Sequence, residues 1–297
     1  MSAQREGTPF APPGGSEGVC LGARREGAQA IALASPTHWA RELLARERTL
    51  AIFGALMLLA MVPALLALGL DDRSLRGVNV WVKPLKFMAA LALFSFTTAW
   101  FVGLIRPAER SSRLVRAIVG IVVATGTLEV GYITLQAALG QASHYNFSSP
   151  LSIALYSAMG LAALLLTTTQ AMLAWAVARH GRDDLHPTWR LAVVLGLAMT
   201  FLLGAGAGGA LGSMQPPAGT GLPWVGWHLA GGDLRPAHFL GLHAHQLIPL
   251  AGLGLMAWMP ARSRVALVLL ALAYTALWAL AMQRGLDGAV LTVPLTR

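Results

Sequence analysis

Seven long, mostly apolar and uncharged runs divide this chain, and no other feature restricts its fold so tightly. A helix needs about 20 such residues, rising about 1.5 Å each, to cross roughly 30 Å of hydrocarbon. The runs are Thr49 to Leu70, Pro84 to Ile105, Ala117 to Gly140, Pro150 to Ala178, Leu191 to Met214, Pro236 to Met259 and Val265 to Gln283. Their Ala, Leu and Gly content favours helices over the alternating pattern of a membrane barrel. The expected fold class is therefore all-α: a polytopic membrane helix bundle of seven transmembrane helices. Composition agrees, since only 12% of the 297 residues are charged, half the roughly 25% of a soluble domain. That argues against a nucleic-acid-binding domain and an ordinary soluble enzyme, and no nucleic-acid partner is expected.

Three parts are expected along the chain. Residues 1–37, rich in Gly, Pro, Ala, Glu and Arg without apolar periodicity, read as a disordered cytoplasmic tail. Residues 38–48 place Trp39, Leu43 and Leu44 among arginines and read as an interfacial helix, with a solvated lead-in as the alternative. Residues 49–297 form the membrane domain. Arg41, Arg46, Arg48, Arg106, Arg110, Arg113, Arg116, Arg179, Arg182, Arg190, Arg262 and Arg264 fall on one side of the threading. The positive-inside rule makes that side cytoplasmic, with the N-terminus in and the C-terminus out. Trp81, Tyr145, Trp224 and Trp227 would mark the outer interface. The single cysteine, Cys20, excludes an internal disulfide. Gly204, Gly206, Gly208, Gly209 and Gly212 on the fifth run predict close packing against a neighbour. The 215–235 stretch is either an outer loop or a segment that re-enters the membrane.

Polar residues gather toward the outer half. Glu129 is the only acid within any run, and an ionisable group in hydrocarbon is a functional candidate because isolating it costs several kcal/mol. Thr125, Glu129, Tyr132 and Gln136 share one helical face. By depth, Glu129 could meet His245, and these two are the candidate catalytic, proton-handling pair. The alternative is a structural hydrogen bond between helices. His238, His243 and His245 crowd the sixth run, where Pro249 predicts a kink. None of these histidines has the helical spacing that chelates one ion, so a metal or haem would need a second segment. His238, His243 and His144 are the candidate metal ligands, with haem or a divalent metal the candidate cofactor; His228 is a further donor. Lys83 and Lys86, the only lysines, flank Pro84 at a helix start. With Asn79 and Arg235 they form a candidate anion or substrate site, snorkelling to the head groups being the alternative.

The stretches N-V-W-V-K-P-L-K-F from Asn79, S-H-Y-N from Ser143 and G-D-L-R-P-A-H-F-L-G-L-H-A-H-Q from Gly232 resemble an uncharacterised family of bacterial multi-pass inner-membrane proteins with no known activity. The resemblance covers about residues 75 to 260 and implies a bacterial inner-membrane location. Three functional classes stand at this stage. The preferred one is a metal- or haem-dependent membrane enzyme or redox protein whose His, Glu and Lys site opens to the periplasmic face, acting on a lipid-soluble or anionic small molecule. The alternatives are a proton-coupled transporter and a structural membrane subunit without a cofactor. The transporter needs polar lining across the whole bundle, and the inner halves of the runs read as almost wholly apolar.

Overall fold

A computed structural model describes residues 36–219, 221–222 and 226–289. Almost all of the expected tail, Trp224 and the C-terminal residues from 290 lie outside the described residues. Helix α1 (Pro36–Arg46) precedes seven helical segments that are long and apolar enough to cross a membrane. These are α2 (Arg48–Leu70), α3 (Val82–Val102), α4 (Arg113–Ala138), α5 (Pro150–His180), the compound fifth span Pro187–Ser213, α8 (Arg235–Trp258) and α9 (Ser263–Leu286). The fifth span is α6 (Pro187–Met199), a π turn over Thr200–Gly204 and α7 (Ala205–Ser213). Over the stretch 38–48, expected to be an interfacial helix, the structure has a helix with different bounds. It begins at Pro36 and ends at Arg46, because Glu47 turns extended and its carboxylate accepts the Leu50 N–H as the N-cap of α2.

Other helix starts are equally local in origin. Ser112 and Ser149 cap α4 and α5 through their hydroxyls, His186 caps α6 through its ring, and Pro150, Pro187 and Pro236 sit where a missing N–H costs nothing. Between α2 and α3 lies a feature the sequence reading lacked. Strands β1 (Ser74–Leu75) and β2 (Val78–Asn79) pair antiparallel around Arg76 and Gly77. Both turn residues have positive φ, 53° and 82°, as a two-residue hairpin requires.

Helix α2 packs on α3, α4 on α5, α6 on α8, and α8 on α9. The α6/α7–α8 crossing brings backbone close against backbone. A Cβ at Gly241 would stand 2.6 Å from the Gly204 nitrogen, and one at Gly196 would stand 2.9 Å from both the Ala244 carbonyl and the Pro249 ring. Helix α8 runs unbroken through Pro249. On the facing span the backbone is irregular, where Thr200 opens the π turn and its Oγ1 accepts the His245 N–H at 2.9 Å. An inserted residue of this kind is a common device at functional helices.

The two ends of the bundle differ. At one end, Arg46 donates to the Trp100 carbonyl and lies 3.8 Å over the Trp100 ring. Arg110 donates to the carbonyls of Gly103 and Ile105, and Arg190 to those of Val177 and Ala178. These guanidiniums satisfy carbonyls that helix ends leave without partners. At the other end the hairpin, the 139–149 loop and residues 214–219 meet. Arg76 donates to the Pro216 carbonyl at 2.7 Å, and Arg73 to that of Ala138 at 3.1 Å.

Candidate polar site within the bundle

Packing fixes the relative heights of the polar side chains. Phe101 and Val102 of α3 cluster with Leu173 and Val177 of α5, and Phe94 packs with Leu166. The Arg106 N–H donates to the His180 carbonyl and the Arg182 N–H to the Leu104 carbonyl, which brings the ends of the two helices level, so that Gln170 stands near the height of Phe94 and Ser95 and about one turn from Thr98. Helix α4 runs the other way, with Gly126 against Leu91, so Glu129 stands near the height of Met88.

At the loop end, Lys83 Nζ donates to Ser143 Oγ at 2.9 Å. The carboxyl of Glu129, deeper in α4, is the acid that acts on it electrostatically. His144 Nδ1 lies 3.3 Å from the same Ser143 hydroxyl, and its ring lies between Phe87 and Tyr156. Tyr145 and Tyr156 donate their phenolic protons to the carbonyls of Leu211 and Gly212, closing the C-terminus of α7. Tyr145 adopts a left-handed φ of 55° to do so. Burial raises its phenol above the ordinary range, and the neighbouring Tyr156 adds to this.

Burial, with the Lys83 charge second, lowers His144 from its ordinary 6.5 to about 3, against an opposing hydrogen bond at the Ser143 backbone. The unfolded chain therefore binds a proton as pH falls through 6.5 while the folded chain does not. The contribution of His144 to stability is complete above 6.5 and declines as pH drops toward 3. Between about pH 7 and pH 5 the loss is expected to be on the order of 1 kcal/mol, allowing for partial exposure. His144→Phe, which suits the aromatic sandwich, should flatten the slope in detergent unfolding curves measured over that range.

The second polar group centres on His245, which is 1% exposed. Its Nδ1–H donates to the Leu242 carbonyl at 2.8 Å, with Thr200 Oγ1 3.1 Å away, and Nε2 accepts from Gln246 Nε2 at 2.9 Å. Gln246 also donates to Thr97 at 3.4 Å and accepts from His243 Nδ1 at 3.1 Å. The network thus joins α8, α3 and the π turn. The ring of Phe94 packs edge-on to His245 at 5.3 Å. His245 therefore stands near the height of Phe94, six residues or about 9 Å along the axis from the level of Glu129. No hydrogen bond joins Glu129 and His245: Glu129 feels the Lys83 charge without forming an ion pair with it, and His245 is bonded to Leu242, Thr200 and Gln246.

The remaining candidates are placed as follows. His238 lies against Gly208 and the Gly204 carbonyl, and its Nδ1 has no hydrogen-bond partner. The ring of His243 stacks on Phe239 at 4.1 Å. Among the described residues no three His, Cys, Asp or Glu side chains are grouped as a metal site would require. Asn79 donates to the Asp71 carbonyl and accepts from the Trp81 N–H. Arg235 grips Asp233 through Nε and Nη2 and also holds the Gly226 carbonyl. Lys86 is exposed and feels the charge of Arg235. Asp71, unremarked in the sequence, anchors the hairpin: Arg73 and the Trp81 indole donate to it and hold its carboxyl well below the usual carboxylate range.

Three further buried polar residues escaped the sequence reading. Ser95, Thr98 and Gln170 are each 0% exposed, and Ser95 Oγ, Thr98 Oγ1 and Gln170 Oε1 have no hydrogen-bond partner. They sit in short uncharged polar stretches, Ser95 and Thr98 in S-F-T-T and Gln170 at the end of T-T-T-Q, and only the packing register shows them at neighbouring heights. The half of the bundle toward the arginine-bearing end is thus less apolar than the runs suggested. Comparison with protein-family models, curated proteins and solved structures finds no match for this chain.

Proposed function

We propose that the chain is a bacterial inner-membrane protein with a cytoplasmic N-terminus and an external C-terminus, and that it works as a proton-coupled transporter with Glu129 as the proton-carrying group. One observation carries this reading. Glu129 is 5% exposed in the middle of α4, its Oε1 has no hydrogen-bond partner, and no ion pair forms with Lys83, whose ammonium is directed to Ser143. A carboxyl buried this way is stabilised by what is delivered to it, and a proton is the smallest such partner.

The loop end supplies the complementary chemistry. Lys83 and Lys86, three residues apart on one face, would receive an anionic small molecule at the external face. Asn79 and Arg235, already engaged with Asp71 and Asp233, would shape that entrance. In this reading His245 and His243 tie α8 to α3 and to the π turn, so that movement of the α6/α7–α8 pair is coupled to the polar core. The metal- or haem-dependent enzyme is the weaker reading, because His144, His238 and His243 are each committed to separate surroundings.

The test is infrared difference spectroscopy on protein in lipid vesicles stepped between neutral and acidic pH. Wild type is expected to show a protonated-carboxyl band that Glu129→Gln lacks, at equal yield of folded protein and with reduced proton uptake by the vesicles. Identical spectra and uptake for the two proteins would refute the assignment of Glu129.

A further inference from the structure

Serine and threonine inside helices ordinarily return their hydroxyl protons to a carbonyl one turn back. In this bundle Thr97, Thr125, Ser157, Thr167, Thr168, Thr169 and Thr275 all do so, at 2.6 to 3.0 Å. Ser95 and Thr98 do not, although both are wholly buried. Their level partner Gln170 spends its amide N–H on Thr169 at 3.2 Å and leaves Oε1 unpaired. Three polar atoms on two helices thus lie buried and unsatisfied at neighbouring heights along the bundle. A single orphan costs about 1 to 3 kcal/mol, and buried groups of this kind are normally bridged by internal water.

Their height gives the cluster a direction. Glu129 stands near Met88, Thr125 near Ala92, then come Ser95 and Thr98, so buried polar groups recur at intervals of about 4 to 6 Å along the bundle axis. Thr98 is one turn above the end of α3, where Arg46 covers Trp100. Toward the other end, Tyr132 and Gln136 continue the same face of α4, each with an unpaired oxygen.

We infer that Ser95, Thr98 and Gln170 hold internal water and form the second half of a proton route, connecting Glu129 to the arginine-bearing end of the bundle. The route rests on the proposed role of Glu129; the hydration of the cluster does not. A bundle with this route is open to protons from both faces, the condition that the apolar inner halves had denied the transporter reading. Water molecules bridging the three side chains would pass the proton by successive hydrogen-bond exchange, with no covalent change in the protein.

The experiment uses the silver ion, a probe close to water in size that reacts with solvated thiolates. Thr98→Cys and, separately, Ser95→Cys are made in a Cys20→Ser background, reconstituted in vesicles and exposed to silver nitrate without chloride; free thiol is then counted after denaturation. Both thiols are expected to disappear roughly tenfold faster than that of Val102→Cys, which lies closer to the helix end but in the apolar cluster. Rates equal to this control in both variants would overturn the hydration. Thr98→Val, which keeps the volume and removes the hydroxyl, should slow protonation of Glu129 while Thr98→Ser does not; an unchanged rate would overturn the route. Fast thiol loss with no infrared change in Glu129→Gln would leave the cluster hydrated and remove Glu129 alone.

Discussion

Gly241→Val is expected to destabilise the membrane domain by about 3 kcal/mol or more, at the upper end of what overpacking costs. The reason is what the new side chain would meet. Its Cβ would fall 2.6 Å from the nitrogen of Gly204 and 2.7 Å from its Cα and from the Leu203 carbonyl carbon. These are backbone atoms of the π turn and cannot rotate away. Relief would have to come from separating α8 from the fifth span, which also withdraws Thr200 from the His245 N–H and ring. Gly209→Ala is the control, because nothing lies within 4 Å of that position; it should change stability by less than about 0.5 kcal/mol. Unfolding midpoints of the two variants in mild detergent titrated with a denaturing one would check the contrast. A Gly241→Val protein as stable as wild type would show that the crossing is looser than described.

Asp233→Ala should cost about 2 to 4 kcal/mol and release the segment leading into α8. Asp233 is 2% exposed and accepts from the His228 and Arg235 N–H groups and from the Arg235 guanidinium. Removing it leaves Arg235 without its counter-charge and the N–H of His228 without an acceptor, and breaking one half of a buried pair is costly; the partial exposure of the arginine moderates the loss. Burial alone would raise this carboxyl, but the bonds from Arg235 and His228 outweigh it and hold it below its ordinary 3.8. Its contribution is therefore complete above that value and disappears as pH falls below it. Faster proteolysis within residues 226–234, together with a lower unfolding midpoint, is the expected readout. Asp233→Asn, which keeps acceptors but not the charge, should fall between wild type and Asp233→Ala.

The seven helices were legible because membrane-crossing length and apolarity are written locally. The ends were less so, since a search for uncharged runs stops at charges. It began the third span at Ala117 and the fifth at Leu191, whereas α4 starts at Arg113 and α6 at Pro187, with Arg113, Arg116 and Arg190 inside the first turns. The glycine-rich fifth span announced close packing, but only the fold separates Gly204, pressed against α8, from Gly209 and Gly212, which face open space. Glu129 stood out by being the only acid in any run. Its partner did not, because depth counted from each helix end assumes that all helices start at one height. The register places His245 about 9 Å away along the axis and gives Glu129 the charge of Lys83 instead. Ser95, Thr98 and Gln170 were invisible for a related reason: in the stretches S-F-T-T and T-T-T-Q most hydroxyls bond their own helix, and which side chain is left without a partner shows only in the fold.

The arginines that close the helix ends have a consequence for engineering the threading. Moving positive charge from one flank to the other is the usual way to invert a multi-pass protein. In this chain Arg46, Arg110 and Arg190 are also the donors that finish α3 and α5. Under the proposed orientation these arginines would be both the topology signal and the helix stops, so relocating them to invert the chain would leave the ends of α3 and α5 frayed. Inversion with the helix ends preserved would have to add cations on the hairpin side and leave these three in place.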